Sequence, residues 1–360
     1  MGDLGSTSLL HAARPSISVE GAEEPALADA LLALSVCEDT GGLYALEATF
    51  GNWGPSRGSV SYLYFDRALF DFGRRIAVEL GDGEAAGTVF DGRVTALEGR
   101  YPGDRTPEIR VLAEDRLQDL RMVRRTRTFE DVSDADVARE VASAHGLSAE
   151  VDADGPSDRV LAQVNQSDLA FLRDRARAVD SELWIEGDVL HLQARARRRT
   201  SEVSLTYGKG LREFRAAADL AEQRTEVTVG GWDVQAKEAL AESAGPGALG
   251  SEARGSSGPQ LLESAFGPRA ETLVHRVPLS TPEAQVLAEA HLRHTARRFV
   301  TGRGVAEGDA RIRVGTELEL QELGELFDGR YYVAEVRHSF DPEEGFRTAF
   351  TVERAGLGGF

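Results

Sequence analysis

The sequence predicts a mainly β protein with an α+β insertion: two β halves of short strands, each a small β-barrel or sandwich, and a helical middle domain. Three observations lead there. Glycine is frequent, at 38 of 360 residues, and much of it stands in turn contexts that favour tight connections between short strands. Runs of strand length, apolar or alternating, recur over residues 43–113 and again over 202–354. Helical spacing is concentrated between them, over 133–179, with one further helix near 281–299. At this length two or three domains are expected.

The elements follow in chain order. Residues 1–15, rich in Gly, Ser and Ala, read as a flexible arm. Residues 16–128 form the first barrel. Leu43–Phe50 carries β-formers, Gly51–Gly58 is a loop, and Val60–Phe70 is apolar and aromatic. Arg75–Leu80 is a strand, Gly81-Asp82-Gly83 a turn, and Thr88–Phe90 resumes extended structure. Asp91-Gly92 then reads as a hairpin dipeptide, with Arg93–Leu97 beyond it and Pro107–Ala113 as another strand.

Residues 129–200 form the α+β insertion. Ser133 caps a helix over Asp134–His145 that stops at Gly146. A second helix starts at Ser167, followed by a Leu183–Glu186, Val189–Leu192 hairpin. The basic run Arg195–Arg199 reads as a solvated linker.

The second barrel takes residues 201–235 and 268–356. Its strands are Glu202–Tyr207, Leu211–Ala216, Arg224–Trp232, Arg311–Val314, Glu317–Glu322, Tyr331–Phe340 and Phe346–Arg354. Residues 236–267, Ala/Gly/Ser-rich and without period, read as a flexible loop. Thr281 as cap and Pro282 at the first helical position start the helix that follows. Phe90-Asp91-Gly92 and Phe327-Asp328-Gly329 hint at duplication of the two β halves.

The net charge is -19, which disfavours a phosphate backbone or an anionic lipid surface as partner. Lys209 and Lys237 are the only lysines. Cys37 is the single cysteine, so neither an internal disulfide nor a cysteine zinc site is possible. The N-terminus has no basic start followed by an apolar stretch, and the Pro25–Val36 run is too short to span a bilayer. A soluble protein made in the cytoplasm is expected, one able to leave as part of a larger particle.

Chemistry is sparse. His291 and His294 are three apart on one helix, but no third ligand is evident. Gly81, Gly83 and Gly87 match a phosphate loop only in glycine content, with no following Lys-Ser/Thr. Glu343-Glu344 and the Asp152, Asp154 pair read as solvated acidic loops, and His338 as a packed or interface histidine. Trp53, Trp184 and Trp232 read as core or interface anchors. No catalytic, cofactor-binding or metal residue is expected.

Ordered motifs nonetheless carry a likeness. Ile76–Gly83, Val89–Glu98 and Ile109–Asp115, then Arg124–Phe129, Asp136–Ala142 and His145–Leu147, resemble the phage late-control-D proteins. These are relatives of the N-terminal half of VgrG and of the T4-type central hub. The resemblance continues through Asn165–Ala176, Leu183–Leu192, Leu205–Gly208, Val227–Asp233, the helix from Pro282, Gly315–Leu320, Phe327–Val333 and Val336–His338. It covers roughly residues 16–355, and the segment 236–267 has no counterpart in it.

What the resemblance implies is a structural baseplate hub of a contractile tail or phage-like injection system, not an enzyme. The hub would be a homotrimer whose two similar small, tube-like β-barrel domains per chain make a pseudo-sixfold ring. Such a ring would join a hexameric inner tube, or its initiator, to a trimeric spike on a separate chain, with baseplate wedge proteins around it. No cofactor, nucleic acid or resting membrane contact is implied. The other readings are a baseplate-associated cell-wall hydrolase, for which no spare domain is seen, and a DNA-binding regulator, which the acidic balance opposes.

Overall fold

The computed structural model describes residues 14–358 except 57, 154, 234–236 and 275–277. Apart from Arg14 and Pro15, the expected arm lies outside the described residues.

The first half is built from β1 (Ser16–Val19), β2 (Leu31–Asp39), β3 (Ala45–Gly51), β4 (Arg75–Leu80), β5 (Gly87–Arg100) and β6 (Glu108–Glu114). Burial alternates as a half-buried strand requires: in β4, Ile76, Val78 and Leu80 are buried while Arg75 and Glu79 are exposed. The strands lie in the order β1-β4-β5-β6-β3-β2, each antiparallel to its neighbour. Phe50, Phe70, Ile76 and Ile109 are among the fully buried side chains of this core.

The middle segment contributes β7 (Arg124–Val132), α1 (Asp134–Ala144), β8 (Ser148–Asp152), β9 (Asp158–Ser167), α2 (Asp168–Ala178), β10 (Ser181–Glu186) and β11 (Val189–Ala194). β7 pairs with β9, and β8-β11-β10 form a small sheet. Ser133 caps α1 through a reciprocal bond with Asp136, and Ser167 caps α2.

The second half contains β12 (Glu202–Tyr207) and β13 (Gly210–Ala218), then an excursion through β14 (Glu226–Asp233), β15 (Glu238–Ala244), α3 (Gly258–Phe266), β16 (Ala270–Leu273) and α4 (Thr281–Arg297). It returns through β17 (Val300–Glu307), β18 (Glu317–Gln321), β19 (Gly329–Asp341) and β20 (Gly345–Arg354). The barrel strands run β12-β18-β19-β20-β17-β13, and β13 pairs back to β12, closing six strands.

Place for place, this order repeats that of the first half: β1, β2, β3, β4, β5 and β6 correspond to β12, β13, β17, β18, β19 and β20. Two differences are local. β1 runs antiparallel to β4, whereas β12 runs parallel to β18. Among the described residues β1 and β2 do not pair; β2 instead joins β19 antiparallel, from Leu34↔Phe340 to Asp39↔Glu335. The fold is therefore mainly β, with one closed six-stranded barrel and a second six-stranded sheet of the same order fused to its side.

Four expectations are corrected. Asp91-Gly92 is not a hairpin; both residues lie inside β5. Gly92 is there because a Cβ would stand 2.3 Å from the Glu114 carbonyl oxygen, so the dipeptide marks close strand approach. Arg311–Val314 is not a strand but a loop that sends Ile312 into the second barrel's core and buries Val314. That inward turn is what produces its alternation. Within 236–267, β15 pairs with β14 along its whole length, and α3 carries a Ser257/Gln260 capping box; the composition hid ordered elements. The cap of α4 is Ser280, whose Oγ accepts from the Glu283 N–H, one residue before the expected Thr281.

Candidate functional site

Charge is buried where the two halves and the middle segment meet. Glu38, on β2, is 1% exposed. Arg313, from the loop before β18, pairs with it, and the Val314 N–H points at its Oε2 at 3.4 Å. Burial pushes the Glu38 carboxyl above its ordinary pKa, opposed by the charges of Arg313 and Arg198.

Arg198 is the centre of the next link. It donates to Glu182 of β10 at 2.8 Å and to the Tyr44 hydroxyl at 2.7 Å, and it lies 4.1 Å above the Trp184 ring. Tyr332 of β19 donates to the same Glu182 oxygen at 2.6 Å. Burial, then the Glu182 charge, drives the Tyr332 hydroxyl well above its ordinary pKa, so it stays a donor. Arg195 pairs with Glu353 of β20 and covers the Tyr332 ring at 4.0 Å. Arg297 of α4 completes the series, donating to Asp180 at 2.7 Å and to Glu252 at 2.6 Å.

Both β halves and the middle segment are tied together by this network. Buried ion pairs add little net stability, yet breaking one is costly and the planar guanidinium fixes the angle of approach. Its carboxylates face arginines and a phenol rather than each other, an arrangement suited to holding orientation. The solvated-linker reading of Arg195–Arg199 is therefore corrected. A 3₁₀ turn over Arg195–Arg197 puts residues 195 and 198 on one side, and both are buried, while Arg199 faces solvent.

The other residues singled out do not converge. Trp184 is buried and stacks on His191 at 4.8 Å, whereas Trp53 and Trp232 are half exposed. His338 is fully buried on β19, with Nδ1 3.2 Å from Thr348 Oγ1. Glu343 and Glu344 form the β19–β20 turn, their N–H groups donating to Asp341. Asp152 pairs with Arg197, and Asp154 lies outside the described residues. His291 sits 3.6 Å from Glu271, and His294 lines a cavity beside it. Among the described residues no group of three or more His, Cys, Asp or Glu could hold a metal ion. Gly81 serves the β4–β5 turn with φ +89°.

Residues 58–341 match the model of the Alg8 N-terminal domain family. The chain belongs to that family. No curated protein matches. Among solved structures, the 43 kDa tail protein of prophage MuSo2 from Shewanella oneidensis superposes with a TM-score of 0.70 at 13% identity, over 95% of this chain and 98% of that one. A tail protein from Neisseria meningitidis MC58 gives 0.68 at 14%, over 95% and 99%. An E. coli component of the type VI secretion system, itself described as similar to the T4 tail proteins gp27 and gp5, gives 0.60 at 12%, over 94% and 76%. At these identities the likeness is one of fold. This member of the Alg8 N-terminal domain family thus has a tail-protein fold through both halves and the middle segment. The late-control-D resemblance agrees with that at the level of tail-type proteins, although the matching family model carries another name.

Proposed function

We propose that the chain is a structural baseplate subunit, a hub whose three copies adapt a sixfold tube to a threefold spike, and not an enzyme. One observation carries the reading: six strands in one half recur in the same order in the other. A threefold ring of such chains presents six similar β faces in rotation on one side while keeping a threefold end on the other. The buried arginine network supports it, because two look-alike faces serve a pseudo-sixfold surface only if their relative angle is fixed.

An exposed aromatic patch supports contact with other proteins. Trp53 stacks edge-on against Tyr62 at 5.2 Å, Tyr62 lies 5.0 Å from Phe65, and Tyr101 packs beside them at 65% exposure. The expected tube, spike and wedge partners, and residence in a phage-like particle after assembly in the cytoplasm, belong to the same proposal. No helix among the described residues is long and apolar enough to cross a membrane. The test is co-purification with tube and spike proteins, followed by negative-stain imaging of the particles. Threefold rings seated between tube and spike are expected; a chain that stays monomeric and joins no particle overturns the reading.

A further inference from the structure

Against a net charge of -19, one cavity is lined chiefly by arginine. It measures about 110 Å³ and lies between the second barrel, the 195–199 turn and the segment 251–254. Its described lining includes seven arginines and three glutamates. We propose that it binds a small tetrahedral oxyanion of the phosphate class.

The charges are unevenly matched. At the inner end Arg195, Arg198 and Arg297 meet Glu353, Glu182, Asp180 and Glu252. At the outer end a single carboxylate, Glu317, receives Arg254 at 2.7 Å, Arg330 at 2.8 Å and Arg199 at 3.3 Å. Arg354 faces the same space with no carboxylate among the described residues; it donates to the carbonyls of Asp328 and Leu326. Three guanidiniums thus share one carboxylate, and a fourth faces none among the described residues.

Unused donors point the same way. The Nε atoms of Arg354 and Arg198 are buried without a hydrogen-bond partner among the described residues. A buried charge left short of partners is costly, and an anion in the cavity would offset it through space, without bonding to these Nε atoms. Burial pulls the Arg354 pKa below the ordinary arginine value, opposed by Tyr331 and aided last by the charge of Arg254. The space holds several water-sized volumes, room for one small anion rather than an acidic polypeptide. Tetrahedral oxygens match the forked guanidinium geometry, which chloride does not. Arg199 and Arg330, with side chains 61% and 52% exposed, stand where a free anion would enter.

The test is isothermal titration of the full chain with inorganic phosphate, with acetate and chloride at matched ionic strength as the other arms. Saturable binding of phosphate is expected, weakened at least about tenfold in the Arg199→Gln/Arg330→Gln double variant and abolished in Arg354→Met. Because Arg354 packs on Tyr331 at 4.5 Å, circular dichroism first checks that its variant folds; if it does not, the exposed double variant carries the result. Phosphate also raises melting temperatures by exclusion from surfaces, so saturation and its loss in the variants are the criteria. Heats equal to those of chloride, saturation by acetate alone, or phosphate binding unchanged in the double variant would each overturn the proposal. The assay needs neither tube nor spike, so its failure leaves the hub reading untouched.

Discussion

Removing the Arg198 guanidinium leaves Glu182 buried, with the Tyr332 hydroxyl and the more distant Arg195, at 3.6 Å, as its remaining partners. Arg198→Met should cost about 3–5 kcal/mol, the usual penalty for orphaning one member of a buried pair. Adding Glu182→Gln should restore more than half of it, as read by denaturant unfolding of the single and double variants. His338 gives a pH dependence. Burial first, and the Arg313 charge second, hold its pKa down at about 3, against an unfolded value of roughly 6.5. Below pH 6.5 the unfolded chain takes up a proton that the native state refuses, so stability falls as pH drops toward 3; above 6.5 this group contributes no slope. His338→Leu should remove about 2 kcal/mol of the stability lost between pH 7 and pH 5, which unfolding at the two pH values measures. Gly92→Ala should cost about 1–3 kcal/mol through its clash with the β6 backbone. By contrast Gly103→Ala, with nothing within 4 Å of its added methyl, should stay within about 0.5 kcal/mol.

Strands with period-two burial were legible at the level of elements: the bounds of β4 and β12 are those their residues suggest, because one face of each is apolar and the other polar. Elsewhere the local signal served another purpose. Asp91-Gly92 looks like a turn, yet its glycine answers a neighbouring strand 22 residues further along the chain, at Glu114. Residues 236–267 look like a linker, although the Ser257/Gln260 pair followed by two leucines is a readable helix start that low-complexity composition masked. The charge network had no sequence signal, since its partners are as far apart as Glu38 and Val314, 276 residues. Nor did the seam between the halves, because β2 pairs with β3 on one edge and with β19 on the other only once both β halves exist. Such an interior strand tolerates no proline. Ser35→Pro should destabilise by about 3 kcal/mol or more and strip hydrogen-exchange protection from those amides within 335–340 that bond across to β2 rather than to β20. Retained protection there would mean that the seam contributes little to holding the halves together.

For the molecule as a whole, the repeated strand order and the fused edge serve different ends. Repetition gives two similar faces, while the β2–β19 seam and the arginines behind it prevent the faces from turning independently. A ring of three such chains would contain six faces at fixed angles, which two barrels on a flexible tether could not offer to a sixfold partner. Sedimentation of the proposed hub assembly should therefore give three times the 38.9 kDa protomer mass, with a mass that depends on concentration if the ring forms weakly without its tube. The aromatic patch supplies a separate handle, because Trp53 and Tyr101 are 44% and 65% exposed and contribute little to the core. Trp53→Ser with Tyr101→Ser should leave unfolding within about 0.5 kcal/mol of the parent while lowering incorporation into particles at least tenfold. Incorporation at the parental level would remove this surface from the assembly contacts, and a large loss of stability would place it in the fold instead.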